Sequence, residues 1–445
     1  MSSGANLAAC FMAIVTVLLL PSVGQASSPS AAATTESAPP LKLGRVQTQS
    51  RDGVTVQLAI PTDDEVARYF GVPLADKGVQ PIWFRIVNTT DAHYWILPVA
   101  IDPDYYTADE VALVVSKKVA KAAATGLTEK FRQNALPFFL GANSDNEGYV
   151  YASHRRGGRF VDVKLAARGT GLRMRFAVML PTEGFDYELS PLRELYANVG
   201  SFPDLTRDET RVRVREMPCC TANANGTGKG DPLNVVLVGD GETVISALTA
   251  AGWDFTEAIT VDSVRRMVGA AIAEKSMMTA PVSSLYAFGR KQDLALQRGR
   301  SQIAQRNHMR LWLAPFRCEG QPVWVGQVSR DIGVKATSKS PTLTTHVIDP
   351  NVDEAREYLL QGLLHQNAVE WFAMVRGVGA ASHEQPARNL ADDPYFTDGM
   401  RVAIGVSHEP IPEWQALDLD WNESTDPVRE GKGEDGTVRL PKKEP

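Results

Sequence analysis

The 445-residue sequence lacks the motifs by which most enzyme classes are recognised. It has no Gly-x-Ser-x-Gly segment, no Gly-x-x-x-x-Gly-Lys-Ser/Thr loop and no His-Glu-x-x-His pair. These absences exclude the sequence signatures of α/β-hydrolases, P-loop nucleotide hydrolases and zinc proteases. Gly239-Asp240-Gly241 follows an apolar run, but Val244 stands where a dinucleotide fingerprint needs its third glycine. We therefore predict a strand-to-helix turn there, and no cofactor.

The sequence also lacks an excess of positively charged residues. The formal net charge is -6, and the lysines and arginines are dispersed along the chain. Without a basic face, a nucleic-acid partner is not expected. The 44% hydrophobic and 22% charged content is typical of a globular protein. The length suffices for two domains.

A long apolar run is absent as well. The stretch over residues 7–20 is shorter than the ~20 residues that a membrane span needs. Residues 1–26 carry no charge and end in small residues suited to cleavage after Ala26, which favours a secretory signal peptide. A flexible tether over 27–40 would follow. We expect a periplasmic or secreted protein without a spanning domain; the alternative is an inner-membrane anchor formed by the uncleaved segment.

Cysteine is scarce. After cleavage only Cys219, Cys220 and Cys318 remain, and an odd number excludes a complete disulfide framework within one chain. Two disulfide pairings remain possible, one between Cys219 and Cys220 and one from either of them to Cys318. No Cys-x-x-Cys or nearby histidine pair completes four ligands, so we predict no metal site.

The hydrophobic pattern predicts an α+β fold. Alternating apolar residues and hairpin turns indicate a β-sandwich-like domain with one helical insertion over 41–216. A linker rich in Asn and Gly follows over 217–231. Residues 232–424 alternate between helices and strands, which predicts an α+β domain with a mostly antiparallel sheet. The charged, Gly-rich segment 425–445 is expected to be a disordered tail.

Capping residues predict where the helices start. Thr107 opens a capping box for a helix toward position 121, and Asp240 and Thr260 each precede a helical pattern. Asp349 is expected to cap a helix over 350–364, with proline at the first helical position.

The best candidate site is a hairpin formed by NHMRLWLAPF and PVWVGQVSRD. Both faces of the second strand should be buried. A turn in the Cys-Glu-Gly-Gln segment would place His308 opposite Asp331 and Arg310 opposite Ser329. His, Arg and Asp on one face could supply a base and an electrophile, or bind an anion. A one-residue slip would bring Arg330 to that face instead. A purely structural cross-strand ion pair is the alternative.

Other polar residues stand out against apolar surroundings. His346 has no structural explanation in the sequence and is a further catalytic candidate. Arg290, Gln292 and Asp293 lie in the GRKQD segment of a predicted strand. Together with Trp312 they are candidate ligand-binding residues.

Five segments in order resemble the LssY C-terminal domain over about residues 231–380: PLNVVLVG, PVSSLYAFGRKQDLALQ, NHMRLWLAP, PVWVGQVSRDIGV and THVIDPNVDEAREYLL. The resemblance implies a bacterial cell-envelope setting. Relatives fuse this domain to membrane modules of the DedA and PAP2 lipid-phosphatase types, and the family was named for a type I secretion component. It implies no catalytic residue, because its activity is not established. Many members have a second histidine where this chain has Val347, so a paired-histidine metal site would be lost here.

Three functions are compatible with these observations. The first is an exported accessory protein that binds an anionic small molecule, a lipid or an envelope protein. The second is a hydrolase of a phosphorylated or lipid-linked substrate, with His308 or His346 as acid/base and Arg310 and Arg330 holding the anion. The third is a structural component of a secretion or transport assembly. We favour the binding protein, because no activated nucleophile can be assembled from the sequence alone.

Overall fold

The computed structural model describes residues 45–116, 121–180, 184–258, 282–299, 306–336, 344–419 and 421, all within one compact unit. The predicted signal peptide, the tether, the helix at Thr260 and the C-terminal tail lie outside the described residues. None of the helices described here is both long and apolar enough to cross a bilayer.

The strands of the described residues are numbered in chain order. They are β1 Gln47–Arg51, β2 Val54–Ala59, β3 Val79–Asn88, β4 Tyr94–Ile96, β5 Phe139–Leu140, β6 Ser144–Ser153, β7 Gly158–Ala167, β8 Thr170–Met179, β9 Asp204–Leu205, β10 Cys220–Ala222, β11 Lys229–Pro232, β12 Val235–Val238, β13 Asp254–Phe255, β14 Tyr286–Ala287, β15 Arg290–Lys291, β16 Leu294–Gly299, β17 Arg306–Cys318, β18 Gln321–Ala336, β19 Thr344–Ile348, β20 Val369–Arg376, β21 Ala387–Arg388, β22 Pro394–Tyr395, β23 Met400–Val406 and β24 Leu417–Asp418.

The described helices are fewer and mostly short. They are α1 Asp63–Phe70, α2 Pro98–Ile101, α3 Ala108–Ser116, α4 Lys121–Gln133, α5 Leu192–Ala197, α6 Arg207–Glu216, α7 Gly241–Ala250 and α8 Val352–His365. The predicted α+β class is confirmed.

The N-terminal half is built from two four-stranded antiparallel sheets, in the orders β1-β2-β3-β6 and β5-β4-β7-β8. Alternate side chains of both sheets, such as Leu58, Phe84, Val163 and Phe176, are fully buried in one shared core. This is the sandwich-like arrangement that the alternation predicted. The predicted capping box is present, with Thr107 Oγ1 accepting from Glu110 N and Glu110 Oε2 accepting from Thr107 N.

The C-terminal half is organised by one large sheet of order β13-β16-β17-β18-β12-β23-β20-β24, with β9 on β17 and β19 on β18. Most pairs are antiparallel, as predicted, although β12 and β23 run parallel. Helices α7 and α8 pack on one face through Leu248 and Leu359. The opposite face carries a second apolar cluster that includes Trp312, Val325 and Trp371.

Two helix starts test the capping predictions. Asp240 caps α7 as predicted, since its Oδ1 accepts from Thr243 N at 2.9 Å. The prediction for α8 was wrong. Its N-cap is Asn351, and the Asp349 carboxylate instead accepts from Asn351 N in a turn before the helix.

The cysteine question is decided by the fold. Cys219 and Cys220 form a disulfide with each other, and Cys318 is a buried free thiol. The segment interpreted as a linker supplies β10 and β11, which pair with each other in a small sheet beside β14.

Candidate functional site

Buried polar side chains form a row across β16, β17 and β18 on the sheet face that points away from α7 and α8. Each of them is at most 6% exposed. The members of this row are Gln297, Arg306, His308, Arg310, Gln327, Ser329 and Asp331. Alternation along each strand places them on one face because successive side chains of a strand point to opposite sides.

The register of the β17–β18 hairpin decides which of them meet. Near the turn, Cys318 pairs with Gln321, as predicted, but further along Arg306 pairs with Asp331 and His308 with Ser329. The predicted pairing of His308 with Asp331 was therefore wrong by two residues. Between the two parts of the ladder, residues 314–316 oppose Val323 alone. Pro315 lies in this bulge and has no N–H to donate to a ladder.

The shift creates an arrangement of serine, imidazole and carboxylate. Ser329 Oγ lies 2.9 Å from His308 Nε2. On the other side of the ring, His308 Nδ1 lies 3.1 Å from Asp331 Oδ1, although the N–H direction is bent away from a linear hydrogen bond. Enzymes that activate a hydroxyl use this geometry. The nucleophile is hydrogen-bonded to a base, and an acid on the other side of the base orients it.

Neighbouring residues fix the direction of the hydrogen bonds. Arg310 can only donate, and its guanidinium donates to Gln327 Oε1 at 2.6 Å. The Gln327 amide nitrogen must then face Ser329, to which it donates at 2.7 Å. Ser329 Oγ accepts this bond, so its proton is directed at His308 Nε2. A neutral His308 consequently carries its proton on Nδ1, toward Asp331.

Charged neighbours complete the cluster. Arg306 Nε donates to Asp331 Oδ2 at 3.1 Å, so the Asp331 carboxylate lies between a guanidinium and an imidazole. Burial lowers the pKa of Arg310 below its usual value, while Asp231, Asp331 and Asp186 act in the opposite direction. Ser329 is 1% exposed, so the site is closed in this conformation.

Arg330 and Asp331 are not an ion pair with each other. Arg330 points to the α8 side, where it donates to Asn307 Oδ1 at 3.2 Å, lies 3.3 Å from a Glu354 carboxylate oxygen and stacks on Tyr358. Successive side chains of a strand point to opposite faces of the sheet, so the Arg330 and Asp331 side chains lie on different sides of it. The candidate role of Arg330 beside His308 is therefore not supported by its position.

The remaining sequence candidates lie around the β14–β15 hairpin. Arg290 holds the Asp293 carboxylate with two bonds of 2.9 and 2.6 Å, and Asp293 also accepts from Leu313 N. Gln292 bonds to Leu285 N and to Asp186, and Trp312 Nε1 donates to the Arg290 carbonyl. These bonds tie the hairpin to β17.

His346 lies in β19, in register with Val334 of β18. Within the described part of the chain, no three His, Cys, Asp or Glu side chains are grouped as a metal site would require.

The sequence interpretation missed Ser329 as a nucleophile. No local signature marks it, because its environment comes from a residue 21 positions away on another strand. Alternation alone predicted that Ser329 shares a face with His308, and that was the available signal.

Comparison with known proteins finds a family match over the segment that contains the five motifs. The family described as LssY C-terminus matches residues 214–400, which extends the resemblance seen over 231–380 at both ends. No curated protein matches the chain. The matched segment contains β17, β18 and the whole polar row. Residues 214–400 of this chain are therefore similar to the LssY C-terminus family.

Proposed function

We propose that the C-terminal half is a serine hydrolase that cleaves a carboxylic ester of an envelope lipid or lipid-linked molecule. The observation that carries the proposal is the position of His308 between Ser329 Oγ and Asp331. The binding role favoured by the sequence rested on the lack of an activated nucleophile. The hydrogen bond between Ser329 Oγ and His308 Nε2 supports such a nucleophile, and we therefore rank the hydrolase above the binding role.

Each residue has a defined task in the proposed reaction. Ser329 Oγ attacks the ester carbonyl carbon while His308 Nε2 takes its proton, and Asp331 stabilises the resulting imidazolium. The imidazolium then protonates the leaving oxygen as the C–O bond to the alcohol breaks. Water, deprotonated by His308, attacks the acyl-serine and releases the acid. Arg310 acts through Gln327 and is a positioning residue.

The proposal requires two further features. An oxyanion needs donors, and the strand N–H groups are engaged in the ladder, so Arg306 would have to supply them. Because Ser329 is buried, a substrate reaches Oγ only when the cover of this face opens, as active-site lids do. An acyl chain would favour the opening by contacting the apolar cluster around Trp312 on the same face.

A fluorophosphonate probe tests the nucleophile directly. We expect a covalent adduct on Ser329, located by mass spectrometry of the digested protein, and turnover of p-nitrophenyl esters of graded chain length. Ser329→Ala should lose both. Ser201→Ala is the control, because Ser201 lies outside the polar row and its hydroxyl donates to the Asn198 carbonyl at 2.7 Å. A folded wild-type protein that reacts with neither probe nor ester, also in the presence of lipid vesicles, would refute the hydrolase.

We also propose that the chain is exported to the periplasm or beyond and works at the cell envelope. The Cys219–Cys220 disulfide supports an oxidising compartment, where such bonds persist. The uncharged segment 1–26 supports export. N-terminal sequencing of the protein recovered from cell fractions tests this; mature protein starting at Ser27 in the periplasm is the expected result.

A further inference from the structure

A small polar cavity lies away from the Ser329 cluster, where the N-terminal sandwich meets the loop after β23. Its volume is about 170 Å³, and it is lined by Gln49–Arg51 of β1, Arg173–Arg175 of β8 and His408–Pro410. A cavity of this size is smaller than the ~300–1,000 Å³ of drug-sized ligand pockets. It has room for one small group.

Positive charge exceeds negative charge among the residues that line it. Arg51 is paired with Glu409. Arg173 holds the Asp162 carboxylate with two bonds of 2.8 Å, and Lys164 lies 3.6 Å from the same carboxylate. Arg175 has no carboxylate partner among the described residues; its guanidinium donates to the Gln366 carbonyl at 3.0 Å.

Arg175 is also deeply buried. It is 5% exposed, and its Nε has no hydrogen-bond acceptor among the described residues. Burial, and to a smaller extent the positive charge of the nearby Arg173, lowers the pKa of Arg175 to about 10. Asp162 and Glu409 act in the opposite direction. A buried cation that makes no direct ion pair is strongly unfavourable. An anion in the cavity would remove that penalty.

We propose that this cavity binds a phosphate-sized oxyanion, with Arg175 as its principal ligand. Guanidinium groups bind phosphate with paired N–H donors, and three of them line the cavity. The anion would bridge the sandwich and the loop after β23. Its source is either free phosphate or the phosphate of a lipid headgroup. The site is independent of the proposed hydrolase, since none of its residues belongs to the polar row on β16–β18.

Calorimetric titration of the full chain with inorganic phosphate at constant ionic strength tests the site. We expect saturable binding in the wild type and at least tenfold weaker binding in Arg175→Gln. Arg85→Gln is the matched control, because Arg85 is an exposed arginine of the same half that pairs with Asp145. It should retain wild-type affinity.

Thermal unfolding separates a ligand from a merely structural role. Without phosphate, Arg175→Gln should melt at or above the wild-type temperature, because an uncompensated charge has been removed. Phosphate should raise the melting temperature of the wild type and not that of the variant. If Arg175→Gln does not fold, Arg175→Lys replaces it and should bind phosphate more weakly, since lysine lacks the paired donors.

The source of the anion is decided by sedimentation with vesicles. Arg175-dependent sedimentation with phosphatidylcholine vesicles that contain phosphatidic acid, and not with phosphatidylcholine alone, identifies the headgroup. Phosphate binding without sedimentation identifies the free anion. A wild type that binds no phosphate and does not sediment, or binding that Arg175→Gln leaves unchanged (an adventitious ion only), would overturn the proposal.

Discussion

Both halves of the molecule contain a carboxylate paired with an arginine in which both side chains are buried, Asp102–Arg159 and Arg306–Asp331, and these two pairs differ in what else they touch. In the N-terminal half, Asp102 accepts from Arg159 at 2.7 Å and from the backbone N–H groups of Asp104 and Ser153. In the C-terminal half, Asp331 accepts from Arg306 and faces His308.

The difference lies in the protons that the partners can exchange. Backbone amides neither release nor take up protons, so the Asp102 pair can only hold the fold. An imidazole bonded to a hydroxyl can pass a proton between its two sides. Burial and pairing alone therefore do not distinguish a structural ion pair from a site; the third partner does.

The largest expected difference between the two pairs is in catalysis. Asp331→Asn should lower ester turnover by roughly 10⁴-fold, because an amide no longer favours the His308 tautomer with its proton on Nδ1. The matched Asp102→Asn should leave turnover per folded molecule unchanged. Steady-state kinetics on protein quantified by circular dichroism compares them. Equal losses in both variants would make the Asp331 cluster structural.

Stability should change by similar amounts in the two halves. Removing one member of a buried pair leaves an uncompensated charge and costs about 3–5 kcal/mol. We expect this loss in the free energy of unfolding for both Asp102→Ala and Asp331→Ala, measured by urea denaturation. A loss below about 1 kcal/mol, the range of exposed pairs, would show that the pair is hydrated in solution.

Acidification should reduce the stabilisation that the Asp102–Arg159 pair gives to the folded protein. Burial by itself would raise the pKa of Asp102, but hydrogen bonds from Asp104, Arg159 and Ser153 outweigh burial and leave the pKa below its usual value. A carboxylate with a lowered pKa in the folded state stabilises the protein above its unfolded pKa, about 3.9. That stabilisation is lost as the pH falls through the lower folded value.

Urea denaturation between pH 5 and 2 should therefore show a steeper loss of stability in the wild type than in Asp102→Asn. Parallel curves for the two proteins would contradict the assigned direction of the pKa shift.

The smallest effect is expected one residue from Asp331. Arg330→Gln removes a pair with Glu354, whose side chain is 54% exposed, so the free energy of unfolding should fall by only about 0–1 kcal/mol. The same urea experiment measures it. A loss as large as that of Asp331→Ala would mean that the two neighbours act as one structural unit.

Local features were readable from the sequence because local physics controls them. The alternation of Val54, Val56 and Leu58 predicted a half-buried strand, and each is fully buried. Thr107 and Asp240 marked helix starts because a side-chain oxygen three residues before a free N–H caps it. The apolar run before Arg330 predicted a strand buried on both faces, and the order of five motifs predicted the family.

Only the tertiary structure decided which side chains meet. A bulge around Pro315 moves the ladder by two residues, which preserves the face of each side chain and changes its partner, so His308 meets Ser329. The exclusion of Cys318 from the disulfide and the burial of Arg175 against the Gln366 carbonyl likewise depend on which chain segments pack together. Alternation fixes the direction of a side chain, whereas its partner depends on strand register and on contacts between residues far apart in the chain.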